Sequence, residues 1–282
     1  MPIMRRVAVV LAWVVLLVAA GAGQAPDATR DDLPPEVQPS WRERAIAVLT
    51  NAVRLSPAAY KASPVYGGVL SPSLNAPNVL GPVYPSQAPL SLDLAISRHA
   101  RRHAYDMALR NVFGHSATDT LAENIGAGAD GDPLATMHRW LCDRPSPSSR
   151  RCCADGDTCD GHRRNIMGGV FQAIGVGHAY NPVSKYRHYW TQNFGGARAT
   201  PVPPLVDGAH VFAGTTIRFL ANVHGMAPPR SVVLLVDGAR VPMSLELGTQ
   251  ASGTYAVVQA RGDTCRSYAF ELVDASGAAH RH

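Results

Sequence analysis

The sequence predicts an α+β protein followed by a small all-β segment. Three observations carry this. Helical spacing of apolar residues recurs three times before residue 143. A Gly/Pro break then interrupts the chain at Gly195-Gly196 and at Pro201, Pro203 and Pro204. Beyond it only short strand-like runs remain, among them residues 232–236 and 239–245 joined by Asp237-Gly238, a hairpin signal.

Taken in order, Arg5 and Arg6 precede an apolar run, Val7–Ala20, and the small residues Ala20-Gly21-Ala22. This is the three-part layout of a secretory signal peptide over residues 1–22. A membrane-spanning helix needs roughly 20 apolar residues, and this run is shorter. No cysteine follows it to take a lipid, and no later segment is apolar enough to span. The expected destination is therefore outside the cell, in the periplasm or at the cell envelope. Residues 23–38, rich in Pro, Asp and Gly, read as a disordered leader.

Ser40 can cap a helix from Trp41 to about Leu55, with Ala45, Val48, Leu49 and Val53 at helical spacing. Ser56-Pro57 restarts a short helix through Tyr60, and residues 63–88 read as loop. Ser91 is expected to open a second long helix ending near Asn111, with Leu92, Leu94, Ala95, Ala100, Ala104, Met107 and Ala108 on its buried side. A third helix, from about Pro133 to Cys142, starts on a proline. Strands follow at residues 173–179 and 188–194. Residues 39–197 form one expected domain and 198–204 a linker. Residues 205–282, with about five to seven short strands, form an immunoglobulin-like β-sandwich. Residues 267–273 alternate in polarity, with Tyr268, Phe270 and Leu272 on one face.

The formal charge is +5, but Arg5 and Arg6 leave with the signal peptide. The remaining basic residues are scattered, which argues against nucleic acid as a partner. Charged residues make up only 17% of the chain, below the usual fraction of roughly 25%. Four of the five cysteines, Cys142, Cys152, Cys153 and Cys159, are crowded together. Outside the cytoplasm disulfides are the expected state. The pairs are 142–152 with 153–159, or 142–153 with 152–159; a structural zinc is the other reading. Cys265 is left as a free thiol or a tie between domains.

Residues 113–195 carry the side chains with chemistry. They include Phe113-Gly114-His115-Ser116, Glu123-Asn124-Ile125, Trp140 to Asp143, Gly161-His162-Arg163-Arg164-Asn165-Ile166-Met167, Gly175-Val176-Gly177 and Tyr189 to Gly195. Two histidines and two acids beside glycines and loops suit a divalent cation or acid–base work near neutral pH. Their gaps match no short zinc signature. There is no G-x-S-x-G elbow for a serine nucleophile. The bland alternative is that His115 and His162 hold loops by hydrogen bonds and that Glu123 caps backbone amides. His99 and His103, one turn apart, could make a metal pair, with packing the expected role of His103; Asp155-Gly156-Asp157 and Asp160-Gly161 faintly resemble a calcium loop, but the pattern breaks at Cys159 and a solvated turn is expected.

These motifs together resemble the CAP superfamily, also called SCP-like: cysteine-rich secretory, antigen 5 and pathogenesis-related proteins. The likeness is greatest to its bacterial branch. It covers roughly residues 40–197. It also rests on Asn51-Ala52-Val53-Arg54, on Pro89-Leu90-Ser91-Leu92-Asp93-Leu94 and on His103-Ala104-Tyr105-Asp106-Met107. The resemblance implies a three-layer α-β-α sandwich. It also implies a cleft holding a divalent cation, zinc above all, on His115, Glu123, Asp143 and His162, with no organic cofactor. The fourth position is usually Glu in the family and is Asp here, one methylene shorter. The cysteine-rich loop lengthens the link between Trp140 and His162. A non-catalytic binding protein for a lipid, sterol or envelope component is expected. The rival is a metal-dependent hydrolase, a peptidase, with Glu123 as base.

Overall fold

In a computed structural model the described residues are 39–66, 76–117, 121–144, 151–196 and 203–282. The signal peptide, the leader and most of the expected linker lie outside them.

Helix α1, Trp41–Leu55, begins where the sequence places it. Ser40 and Glu43 form a reciprocal capping box, with the Ser40 amide donating to Glu43 Oε2 at 2.7 Å. Helix α2, Pro57–Ala62, restarts on Pro57. Strand β1 is only Ser91–Leu92 and runs parallel to β3. The second long helix, α3, is Leu94–Arg110. It therefore starts after Asp93, not at Ser91. The Ser91 and Asp93 amides bond to Gln172 and Ile174 in the sheet, and the Asp93 carboxylate caps Ala95 and Ile96 at 2.8 Å. Its buried side is Ser97, Ala100, Ala104, Met107 and Ala108; Leu94 and Ala95 are exposed.

Strand β2 (Ala122–Gly128), α4 (Pro133–Cys142), α5 (Gly161–Met167), β3 (Ala173–Tyr180) and β4 (His188–Gly195) follow. The first sheet has the order β1-β3-β4-β2, antiparallel except for β1. Helix α3 lies on one face, close enough that a Cβ on Gly177 would sit 2.2 Å from the Ala100 carbonyl carbon. A Cβ on Gly175 would sit 2.3 Å from Ile96. The glycines are what let helix and sheet approach. Ile174, Val176, Trp190 and Phe194 share a core on the other face with α1 and with Met137, Trp140 and Leu141 of α4. This is an α-β-α arrangement, as expected.

The remaining strands are β5 (Leu205–Ala213), β6 (Thr216–His224), β7 (Ser231–Val236), β8 (Ala239–Pro242), β9 (Ser244–Gly248), β10 (Ser252–Ala260), β11 (Tyr268–Val273) and β12 (Ala279–Arg281). They make two four-stranded sheets, β5-β6-β10-β9 and β12-β11-β7-β8. Phe219, Ala221, Val223 and Tyr255 of one share a core with Val232, Leu234, Phe270 and Leu272 of the other. The Asp237-Gly238 hairpin is present, but it ends at Pro242. Leu245 has crossed to β9 in the other sheet.

The core around α1 also takes in Ala209, Val211, Leu220, Leu247 and Ala256 from the second sheet. Helix α1 thus lies between two sheets and is buried nearly all round, from Ala45 to Leu55. Among the described residues no helix is long and apolar enough to cross a membrane.

Candidate functional site

Each expected site residue sits at or near the end of an element. Glu123 is the second residue of β2, and its side chain is 5% exposed. Its Oε1 accepts from His115 Nδ1 at 2.8 Å and from the Ser116 amide at 3.1 Å. Its Oε2 is buried without a hydrogen bond and lies 3.6 Å from His103 Nε2. His103 Nε2 itself meets the Gly114 carbonyl at 3.0 Å. So His103 of α3 belongs to this cluster, where it supports the loop carrying His115. The sequence reading expects packing of it; its position on the helix is visible there, its partner is not.

Asp143 follows the last residue of α4 in left-handed backbone, φ 49°. Short polar side chains tolerate that conformation best. From there its carboxylate reaches α5. Oδ1 accepts from His162 Nδ1 at 2.5 Å, and Oδ2 accepts from the His162 and Arg163 amides at 2.7 and 3.2 Å. The four residues therefore form two acid–histidine pairs, His115–Glu123 and His162–Asp143.

Two asparagines join the pairs. Asn124, next to Glu123, donates to the His162 carbonyl at 3.1 Å and to Gln192 at 3.0 Å. Asn165 of α5 donates back to the Glu123 carbonyl at 3.2 Å and to Asn124 Oδ1 at 2.9 Å. The two motifs singled out in the sequence are thus one interlocked unit. Arg54, also in a quoted motif, donates to the Ala88, Ile166 and Gly168 carbonyls and pins the end of α5. Asn51 exchanges two hydrogen bonds with Leu90.

The cysteine-rich segment is fastened to the same helix. The disulfides are Cys142–Cys152 and Cys153–Cys159, one of the two expected pairings. Cys265 is free and exposed. Arg163 is completely buried and donates to the Leu141 and Cys153 carbonyls at 2.5 and 2.8 Å, while facing Asp155 at 2.9 Å. Asp155 accepts the Leu80 and Gly81 amides, and Asp160 takes Tyr84 OH and the Gly156 amide. Gly156 and Asp157 are exposed, as a solvated turn requires, but the Asp155 and Asp160 carboxylates are consumed as internal acceptors, because a buried arginine and several amides need them. The Tyr84 and Gly156 hydrogen bonds and the Arg164 and Arg163 charges hold the Asp160 carboxyl below its usual range, against the opposing effect of burial.

A carboxylate can only accept, so each histidine turns its Nδ1–H to its acid, and in the neutral ring Nε2 is then the acceptor. That is how metal-binding histidines are held. Yet among the described residues the only group with three ligand atoms within 4.8 Å is Cys153, Asp157 and Cys159. Both of its sulfurs are tied in a disulfide. His115, Glu123, Asp143 and His162 do not form such a group, so the geometry supplies no ready cage for zinc.

Comparison with known proteins bears on the same stretch. Among curated proteins none matches the chain. Similar solved structures include Schistosoma mansoni venom allergen-like protein 4, at 13% identity and a TM-score of 0.34, covering 57% of this chain and 92% of that one. They also include BmVAL-1, at 17% identity and a TM-score of 0.36, covering 57% and 79%. Likeness at that level carries no weight for fold or function. Residues 86–194 match the model of the cysteine-rich secretory protein family, CAP. They hold both acid–histidine pairs.

Proposed function

We propose that this is a secreted, non-catalytic binding protein whose CAP region takes a lipid, sterol or envelope component. Its β5–β12 strands, read as an immunoglobulin-like sandwich, serve adhesion. The observation that carries this is the use of the two acids. Glu123 Oε1 and both Asp143 oxygens are spent on fixing an imidazole and backbone amides, which leaves only Glu123 Oε2 outside that work. Two disulfides and the apolar run Val7–Ala20 support an oxidising destination outside the cytoplasm. The test is retention of lipids from an envelope extract by the purified protein. Binding that survives His115→Ala is expected, and failure of the intact protein to retain any envelope fraction overturns the reading.

One atom favours the rival, a metal-dependent hydrolase. Glu123 Oε2 is buried without a hydrogen bond, an acceptor that a cation or a substrate proton would satisfy. A cation there would draw on His115 and Glu123, with His162 and Asp143 brought closer. Stoichiometric metal in the purified protein, with peptide cleavage lost in His162→Ala, would establish it. Metal-free protein inactive on peptide libraries would dismiss it.

A further inference from the structure

The end of α3 and the turn between β3 and β4 are built into one rim. Asn181 Nδ2 donates to the Ala108 carbonyl at 2.8 Å, and the Lys185 amide donates to Asn111 Oδ1 at 2.7 Å. The rings of Phe113 and Tyr186 meet edge to face at 5.8 Å. Behind them Met107, Ala108, Ala179 and Tyr189 form a small core. The rim is therefore held from within.

Its outer side is apolar and basic. Leu109 is 59% exposed, Val112 52%, Phe113 47% and Val183 89%. Four of the eleven exposed large hydrophobic residues among those described thus fall on two short segments. Scattered single exposures are ordinary, but a cluster marks an interaction surface. Arg110, Lys185 and Arg187 are exposed among them. Residues 107–117 and 181–187 contain no Asp or Glu; Asp106 faces Arg110 at 3.9 Å, and the buried Glu123 is taken up by His115 and the Ser116 amide.

We propose that this rim docks the protein onto an anionic lipid bilayer. The apolar side chains stand on two chain reversals, a helix end and a hairpin turn, so they project and can enter the headgroup layer. The three cations then lie at the level of the lipid phosphates, where each contributes to attraction. Because the side chains are positioned by the scaffold, little ordering opposes insertion. The surface adjoins the His115–Glu123 pair along the loop that carries His115 but uses neither of those side chains, and it stands whether or not the CAP region takes a lipid.

The test uses the full chain with Cys265→Ser, labelled by an environment-sensitive dye at Val183→Cys or, as a control, at Val170→Cys. Val170 is 83% exposed and precedes β3, whereas Val183 follows it. With phosphatidylglycerol-containing vesicles the dye at 183 should shift to the blue and the dye at 170 should not. Comparing two sites in one chain separates this from adsorption through residues 7–20. Adding Leu109→Glu and Lys185→Glu should weaken partitioning by about tenfold or more, with a similar loss in neutral phosphatidylcholine. His162→Ala, which disturbs the acid–histidine pair, should leave the shift intact. No shift at 183, an equal shift at 170, or a shift unchanged by the double substitution overturns the proposal.

Discussion

Asn51 of α1 donates to Asp207 Oδ2 of β5 at 2.8 Å, across 156 positions of sequence. Asn222 of β6 brings a second donor to Oδ1 at 2.7 Å and also donates to the Val48 carbonyl. Asn222 Oδ1 in turn accepts from Thr254. This buried network joins the helix to the second sheet through hydrogen bonds from neutral amides.

Burial raises the Asp207 carboxyl to about 6, while Asn51 and Asn222 pull the other way. Its folded value lies above the unfolded one, so its contribution is full below about pH 4 and is lost as pH rises through about 6. The loss amounts to about 3 kcal/mol. By urea unfolding, the stability of Asp207→Asn should rise relative to the parent by about that amount between about pH 4 and 7.

His188 behaves oppositely. It meets His178 at 3.0 Å, and burial together with the Arg42 charge lowers it to about 4, despite Asp130. Burial, Arg42 and His188 also lower His178. Stability from these groups is present above the unfolded value near about 6.5 and falls as pH drops towards about 4. Thermal melts of His188→Asn should therefore lose less stability between about pH 6.5 and 4.5 than the parent does.

Asp143→Ala removes three acceptor contacts from the start of α5. The expected cost is about 3 kcal/mol, read by urea unfolding. Asp143→Asn keeps the left-handed turn and should cost less. Side-chain NMR at one pH should show the His162 ring resonances moved in both variants and those of His115 unchanged.

Gly177→Ala would drive a methyl into the Ala100 backbone. Neither helix nor sheet can yield cheaply there, so about 3 kcal/mol or more should be lost. Alanine at Gly161, where a Cβ would meet nothing within 4 Å, should change the melting temperature little.

Much of the fold was legible where local chemistry decides it. Ser40 with Glu43, and Asp132 with Pro133, set the starts of α1 and α4 without outside help. The start of α3 was not, because Ser91 and Asp93 answer to a strand about 80 residues further along. Strand β2, Ala-Glu-Asn-Ile-Gly-Ala-Gly, has little strand propensity of its own. It is held by β4 and by Trp140 Nε1 donating to the Ile125 carbonyl at 2.8 Å. Helix α5 has no side-chain bond from its own N-cap residue and depends on Asp143 and Arg54. The site residues were legible through their motifs. That each acid would take one histidine depended on the left-handed turn at Asp143 and on the half-buried His103, neither of which periodicity reveals.

Enclosure of α1 has a kinetic consequence. The first described helix cannot finish desolvating until β5, β6 and β10, about 160 to 200 positions later, have been synthesised and paired. Closure around it is a late, long-range event, and until then its outward stripe stays exposed to misassociation. A chain interrupted before β5 would leave one side of α1 uncovered beside the sheet that carries the acid–histidine pairs, and aggregation would compete with folding.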